Sequence, residues 1–172
     1  MPEIVLHSRN RGYAHMTAKQ RRLMKDFIGW SAERLLGKKL AAEITIDVFL
    51  DGKLFEKERS YGYAIWEDRH YRGREFTMEI DSTFSFLNVL HTVAHEMVHI
   101  KQYALGELYL STKNDDVYVH NKVNVDTKDV DYWEQPWEWE AHGRATGLIV
   151  IWMRERELNN ETWAKQRMFL GP

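Results

Sequence analysis

The chain has 172 residues, of which 44% are hydrophobic and 13% aromatic, and this favours one folded domain over residues 1–172 rather than a disordered or fibrous chain. Its formal net charge of -2 gives no electrostatic basis for general binding to nucleic acids or to membrane surfaces. The sequence contains no cysteine, which excludes disulfide bonds and any zinc site built from thiolates.

The N-terminal segment bears on location and on the first predicted element. It lacks the continuous apolar stretch of a signal peptide, and no run of about 18 apolar residues that could span a bilayer occurs in the sequence. We therefore expect a cytoplasmic protein without a membrane partner. The first predicted element is a helix over residues 17–36, with Thr17 as its N-cap and Gly37 at its end.

Three segments with strand character follow this helix, over residues 43–50, 61–67 and 74–81. The first and the third alternate apolar with polar residues, as strands with one buried face do. The sequence therefore predicts a three-stranded sheet. We expect the third strand to be an edge along which an extended peptide can pair.

Two more helices are predicted, over residues 83–105 and 136–158, the latter beginning at a proline that suits a first helical turn. Residues 107–134 between them are polar and irregular, with a short strand at 117–125. The order is helix, three strands, helix, long loop, helix, which predicts an α+β fold.

The second helix carries the motif His95-Glu96-x-x-His99. Residues four apart lie one turn apart on the same face of a helix, so the two imidazoles can grip one zinc ion. Glu96 lies close enough to take a proton from a water molecule at that ion. The motif is typical of zinc hydrolases. His91 lies on the same face of this helix, one turn before His95, and we expect it to support the site or the helix rather than to bind metal.

A catalytic zinc ion usually has three protein ligands, so a third is expected downstream. In the last helix Glu138 lies at the edge of the apolar face, whereas Glu140 lies on the predicted solvent side beside Arg144. A carboxylate that points into the protein needs a cation or hydrogen-bond donors as partner, because burying it unpaired is costly. Glu138 lies in the first turn of its helix, where the helix dipole favours the ionised form. These arguments favour Glu138. The alternatives that stay open are Glu134, Glu140, His142 and His120.

Hydrolysis of an acyl bond also needs a donor for the negative charge that develops on the carbonyl oxygen. Four side chains downstream of the motif are candidates for this role or for supporting a ligand: His142, Tyr132, His120 and Tyr118. The sequence does not distinguish among them.

Two segments, HEMVHIKQY at 95–103 and PWEWEAHGRA at 136–145, resemble small gluzincin-type zinc metallopeptidase domains. These include SprT-like and minigluzincin proteins, which bacteria and phages often encode. The resemblance covers about residues 17–158 and implies a zincin-like order of elements, Zn²⁺ as cofactor and a peptide or protein as substrate. It implies these site residues: His95, His99 and Glu138 as zinc ligands and Glu96 as general base.

SprT-like proteins commonly carry a cysteine-rich zinc ribbon and act near DNA. Because this sequence has no cysteine and no excess of basic residues, we expect no such role here. A second hypothesis is a non-catalytic zinc-binding module, in which the metal joins two helices and the surface binds another protein. The glutamate in the motif weighs against it, since a structural site has no use for that residue.

Overall fold

The computed structural model describes residues 1–68, 71–111 and 117–167, which form a mixed α+β structure. Its first four strands are β1 (Glu3–Arg9), β2 (Thr45–Asp51), β3 (Gly62–Trp66) and β4 (Glu75–Asp81). Its helices are α1 (Ala18–Leu36), α2 (Lys38–Ala41), α3 (Leu54–Glu58), α4 (Phe86–Leu105) and α5 (Pro136–Glu155). Within the described ranges, no helix is both long enough and apolar enough to cross a bilayer.

The four strands form a mixed sheet in the order β1-β2-β4-β3. The first three in that order are parallel, and β3 pairs antiparallel to β4, with Ala64 opposite Met78. The predicted three-stranded sheet is therefore one strand short. The prediction that the third strand forms an edge is also wrong, because β4 lies between β2 and β3. The edge beside α4 is β3.

The missing strand is β1, in which Ile4 pairs with Ile46 of β2. Only Ile4 of its seven residues is buried, so β1 lacks the alternation that identifies a half-buried strand from sequence. Its place in the sheet depends on the parallel partner supplied by β2, about forty residues later, and this is not a local property of the sequence.

The predicted first helix is confirmed, and it begins with a capping box between Thr17 and Gln20. Helix α1 packs against α4 and α5, and the ring centroids of Phe27 and Trp152 lie 5.0 Å apart. The core between these helices and the sheet consists mainly of aliphatic and aromatic side chains. Its largest fully buried members include Trp152, Phe27, Phe76, Met24, Ile28 and Ile44.

Helix α4 runs through the centre of the domain, with 15 of its 20 residues buried. It begins at Phe86 rather than at residue 83, because Ser85 is the N-cap and accepts a hydrogen bond from the backbone nitrogen of Asn88. Gly106 ends it in the left-handed conformation that glycine adopts without strain. Helix α5 packs along α4 and ends three residues before the predicted residue 158.

The segment between α4 and α5 was predicted to be a loop, but it contains a second sheet of β5 (Leu108–Leu110), β6 (Val117–His120) and β7 (Val123–Asp126). The single strand predicted at 117–125 is a hairpin of two strands. Asn121 and Lys122 turn the chain, both with positive φ. An Asn-Lys pair is a weaker hairpin signal than Asn-Gly, which explains the missed turn.

Candidate metal centre

The motif His95-Glu96-x-x-His99 lies on the face of α4 that α5 and β3 cover. His91, His95, His99 and Tyr103 follow one another at four-residue steps along this face, and all four line a cavity of about 610 Å³. Strand β3 approaches α4 closely at Gly62, where an added Cβ would lie 2.7 Å from Thr92 Cγ2. The absence of a side chain at Gly62 therefore allows the sheet edge to lie against the motif.

His95, His99 and Glu138 converge at one point of the cavity wall. The Nε2 atoms of His95 and His99 lie 2.9 Å apart, and Glu138 oxygens lie 3.1 Å from His95 Nε2 and 3.3 Å from His99 Nε2. Each of the three residues is less than 9% exposed. Among the described residues they are the group of three that could hold a metal ion.

The triangle of these three ligand groups, with sides of 2.9, 3.1 and 3.3 Å, is close in size to a zinc site. Tetrahedral zinc binds nitrogen and oxygen ligands at about 2.0–2.1 Å, which places the ligand atoms about 3.3 Å from one another. Two imidazoles and one carboxylate are also a donor set found in catalytic zinc sites. The residues present therefore fit a zinc ion and leave room for a further ligand from the cavity.

The charged groups of the site shift one another's pKa values. Burial alone would raise the pKa of Glu138, but hydrogen bonds from His95 and His99 outweigh it and hold this pKa far below its usual value. Burial would lower the pKa of His99, but the hydrogen bond to Glu138 and the charge of Glu96 raise it to about 9. The site therefore holds an ionised carboxylate in a buried place, which a cation stabilises.

Glu96 lies next to this triangle and is buried, with 5% of its surface exposed. Its carboxylate accepts a hydrogen bond from the backbone N–H of Ala64 in β3. Burial raises its pKa, and the charges of His99 and His95 offset this only in part. The motif glutamate is thus fixed between the sheet edge and the two histidines.

The four candidate donors differ in their contacts and in whether they line the cavity. Tyr132 donates a hydrogen bond of 2.7 Å from its hydroxyl to Glu138 Oε2. Tyr118 lines the cavity and packs on Trp137. The His142 ring lies 4.4 Å from that of His95, and its Nε2 is buried without a hydrogen-bond partner among the described residues. His120 contacts Trp137 and Asn121 and is not among the residues that line the cavity.

The other residues considered from sequence lie outside the triangle. His91 lines the cavity, and its Nε2 is 3.5 Å from Thr146 Oγ1. Glu134 is exposed at the end of a short 3₁₀ turn before α5. The prediction that Glu140 faces solvent is wrong: its carboxylate accepts hydrogen bonds from Lys101 and Gln102 of α4. A helical wheel does not include the neighbouring helix, which supplies these donors.

Two residues of the site were missed in the sequence. Tyr103 continues the four-residue stripe and lines the cavity, so the spacing from His99 could have identified it. Gln102 is fully buried, and its Oε1 lies 2.9 Å from His99 Nδ1. Its position three residues after His99 was the available signal.

Comparison of the chain with protein-family models, curated proteins and solved structures finds no match. The interpretation of the site therefore depends on the residues and their geometry.

Proposed function

We propose that the protein is a zinc-dependent metallopeptidase of the small gluzincin type. The observation that carries this proposal is the convergence of His95, His99 and Glu138 beside the buried Glu96. The order of elements is in keeping with it, since a helix and a mixed sheet precede the motif helix and the helix with Glu138 follows. His95, His99 and Glu138 would hold the ion.

A bound zinc ion would supply Lewis acidity, which polarises a carbonyl group and lowers the pKa of a water molecule. In this proposal Glu96 would act as general base, accepting a proton from the attacking water and passing it to the leaving amine.

The cavity supports an extended chain as substrate. Gly62 and Ala64 of the edge strand β3 line it beside Glu96, so a peptide backbone can lie along this strand and reach the metal centre. Tyrosine side chains form much of the remaining wall and suit apolar parts of a substrate. The tyrosines are Tyr61, Tyr63, Tyr103, Tyr118 and Tyr132.

Among the candidates for stabilising the oxyanion, we favour His142 and Tyr118. Both line the cavity, and the Nε2 atom of His142 is buried there without a hydrogen-bond partner among the described residues. The hydroxyl of Tyr132 donates to Glu138 and so supports a ligand. His120 does not line the cavity, so we do not favour it as the oxyanion donor.

The test is hydrolysis of a denatured protein or a mixed peptide library by the zinc-loaded protein, followed by mass spectrometry of the products. We expect new peptide termini that a metal chelator abolishes and added zinc restores. Zinc bound at the site with no cleavage of any peptide would instead support the non-catalytic zinc-binding module.

A further inference from the structure

The amide of Gln102 has a fixed orientation. Its Nε2 donates hydrogen bonds of 3.0 Å to the Trp137 carbonyl oxygen and to Glu140 Oε2, and both of these atoms only accept. The amide nitrogen therefore faces α5. Its oxygen must face the other way, toward His99 Nδ1 at 2.9 Å.

This orientation decides which nitrogen of His99 carries a hydrogen. An amide oxygen can only accept, so Nδ1 of His99 must be the donor. In the neutral imidazole the lone pair is then on Nε2, the atom that faces His95 and Glu138. The contact thus prepares His99 as a metal ligand.

Glu140 is held in turn by cations. Lys101 lies 2.8 Å and Arg144 2.9 Å from its Oε1, which leaves Oε2 for Gln102. Lys101 is buried and also pairs with Glu107. Lys101 thus lies between the carboxylates of Glu107 and Glu140.

We propose that Gln102, oriented by Glu140, is a positioning residue that holds His99 in its metal-binding tautomer and ties the histidine helix to the first turn of the helix that carries Glu138. This inference depends on the proposed zinc site. Partners of this kind around metal-binding histidines contribute about 10–100-fold to metal affinity.

The first experiment needs no variant. Long-range ¹H–¹⁵N correlation spectra of the zinc-loaded wild type report which ring nitrogen of His99 carries hydrogen. We expect a slowly exchanging hydrogen on Nδ1. A hydrogen on Nε2 would overturn the proposal.

The second experiment measures zinc affinity by competition with a chromophoric chelator. We expect Gln102→Met, which keeps the side-chain length, to bind zinc about 10–100-fold more weakly. Gln102→Glu should be weakened as well, because its carboxylate would face Glu140. The double variant Gln102→Glu/Glu140→Gln restores a donor at 140 and an acceptor at 102, and should recover affinity to within about tenfold of the wild type.

Glu107→Gln is the matched control, since the Glu107 side chain contacts Lys101 but not the side-chain amide of Gln102, and its backbone hydrogen bond to the Gln102 carbonyl oxygen is kept. We expect its zinc affinity to match the wild type. A folded Gln102→Met protein with wild-type affinity, or a double variant no better than Gln102→Glu, would contradict the role of Gln102. A wild type that binds no zinc would contradict the proposed function itself, so the two failures are distinguishable.

Discussion

The Nε2 atoms of His95 and His99 lie 2.9 Å apart. Two neutral imidazoles that present lone pairs to each other at this distance repel unless a proton or a metal ion lies between them. Glu138 completes the triangle with its negative charge. These three side chains could therefore hold a cation.

Glu96→Gln should separate metal binding from hydrolysis. The amide keeps the size of the side chain but cannot accept a proton, so we expect hydrolysis to fall by about 10²–10⁴-fold with zinc affinity retained. Peptide cleavage assays and elemental analysis measure the two properties. Glu134→Gln, a change in an exposed glutamate outside the triangle, is the control and should alter neither. Undiminished cleavage by Glu96→Gln would rule out its role as general base.

Tyr132→Phe should weaken zinc binding. The substitution removes the hydroxyl that donates to Glu138 Oε2 and keeps the ring, so we expect about a tenfold loss of zinc affinity. Tyr109→Phe, on β5 and outside the cavity lining, serves as control. Unchanged affinity combined with a lower kcat would instead assign the hydroxyl of Tyr132 to the substrate.

Gly62→Ala should destabilise the domain. The new methyl group would lie 2.7 Å from Thr92 Cγ2 and 2.8 Å from the carbonyl oxygen of Glu79, and we expect a loss of about 1–3 kcal/mol in the free energy of unfolding. Urea denaturation measures this. Gly147→Ala lies in open space on α5 and should instead stabilise the domain by about 0.5–1 kcal/mol. Equal effects of the two changes would contradict the close packing of β3 on α4.

Asp26 should contribute to stability at neutral pH but not in acid. Burial alone would raise its pKa, but hydrogen bonds from Arg156 and Trp152 outweigh this and place it below the ordinary value of 3.8. A carboxylate with a lowered pKa in the folded state stabilises above its unfolded pKa, and the contribution disappears as the pH falls through the folded pKa.

Asp26→Asn should therefore cost about 0.5–1 kcal/mol at pH 7, and this difference from the wild type should shrink below about pH 4. Urea denaturation across this pH range measures it. Asp129→Asn, at an exposed position, should leave the pH profile unchanged. A cost for Asp26→Asn that is independent of pH would mean that shape rather than charge matters at this position.

Features with a helical period were predictable from the sequence. His95 and His99 share a face because of their spacing, and Glu138 could be placed at the inward edge of its helix from the surrounding apolar residues. The structure brings these three residues together. Local patterns were sufficient because each of these residues lies on a long helix.

Features that depend on a distant partner were not predictable. The partial burial of Glu140 depends on Lys101 and Gln102 of another helix, about forty residues earlier in the chain. The position of β4 inside the sheet depends on which strands pair, and alternation within one strand carries no such information.

The proposed metal site is tested most directly by the zinc content of the purified protein after dialysis against zinc, measured by elemental analysis on wild type, Glu138→Gln and Glu134→Gln. We expect one zinc ion per wild-type chain, kept in Glu134→Gln and lost or much weakened in Glu138→Gln. A well-folded wild type that binds no zinc would contradict the account, and the motif would then be only a histidine-rich helix face.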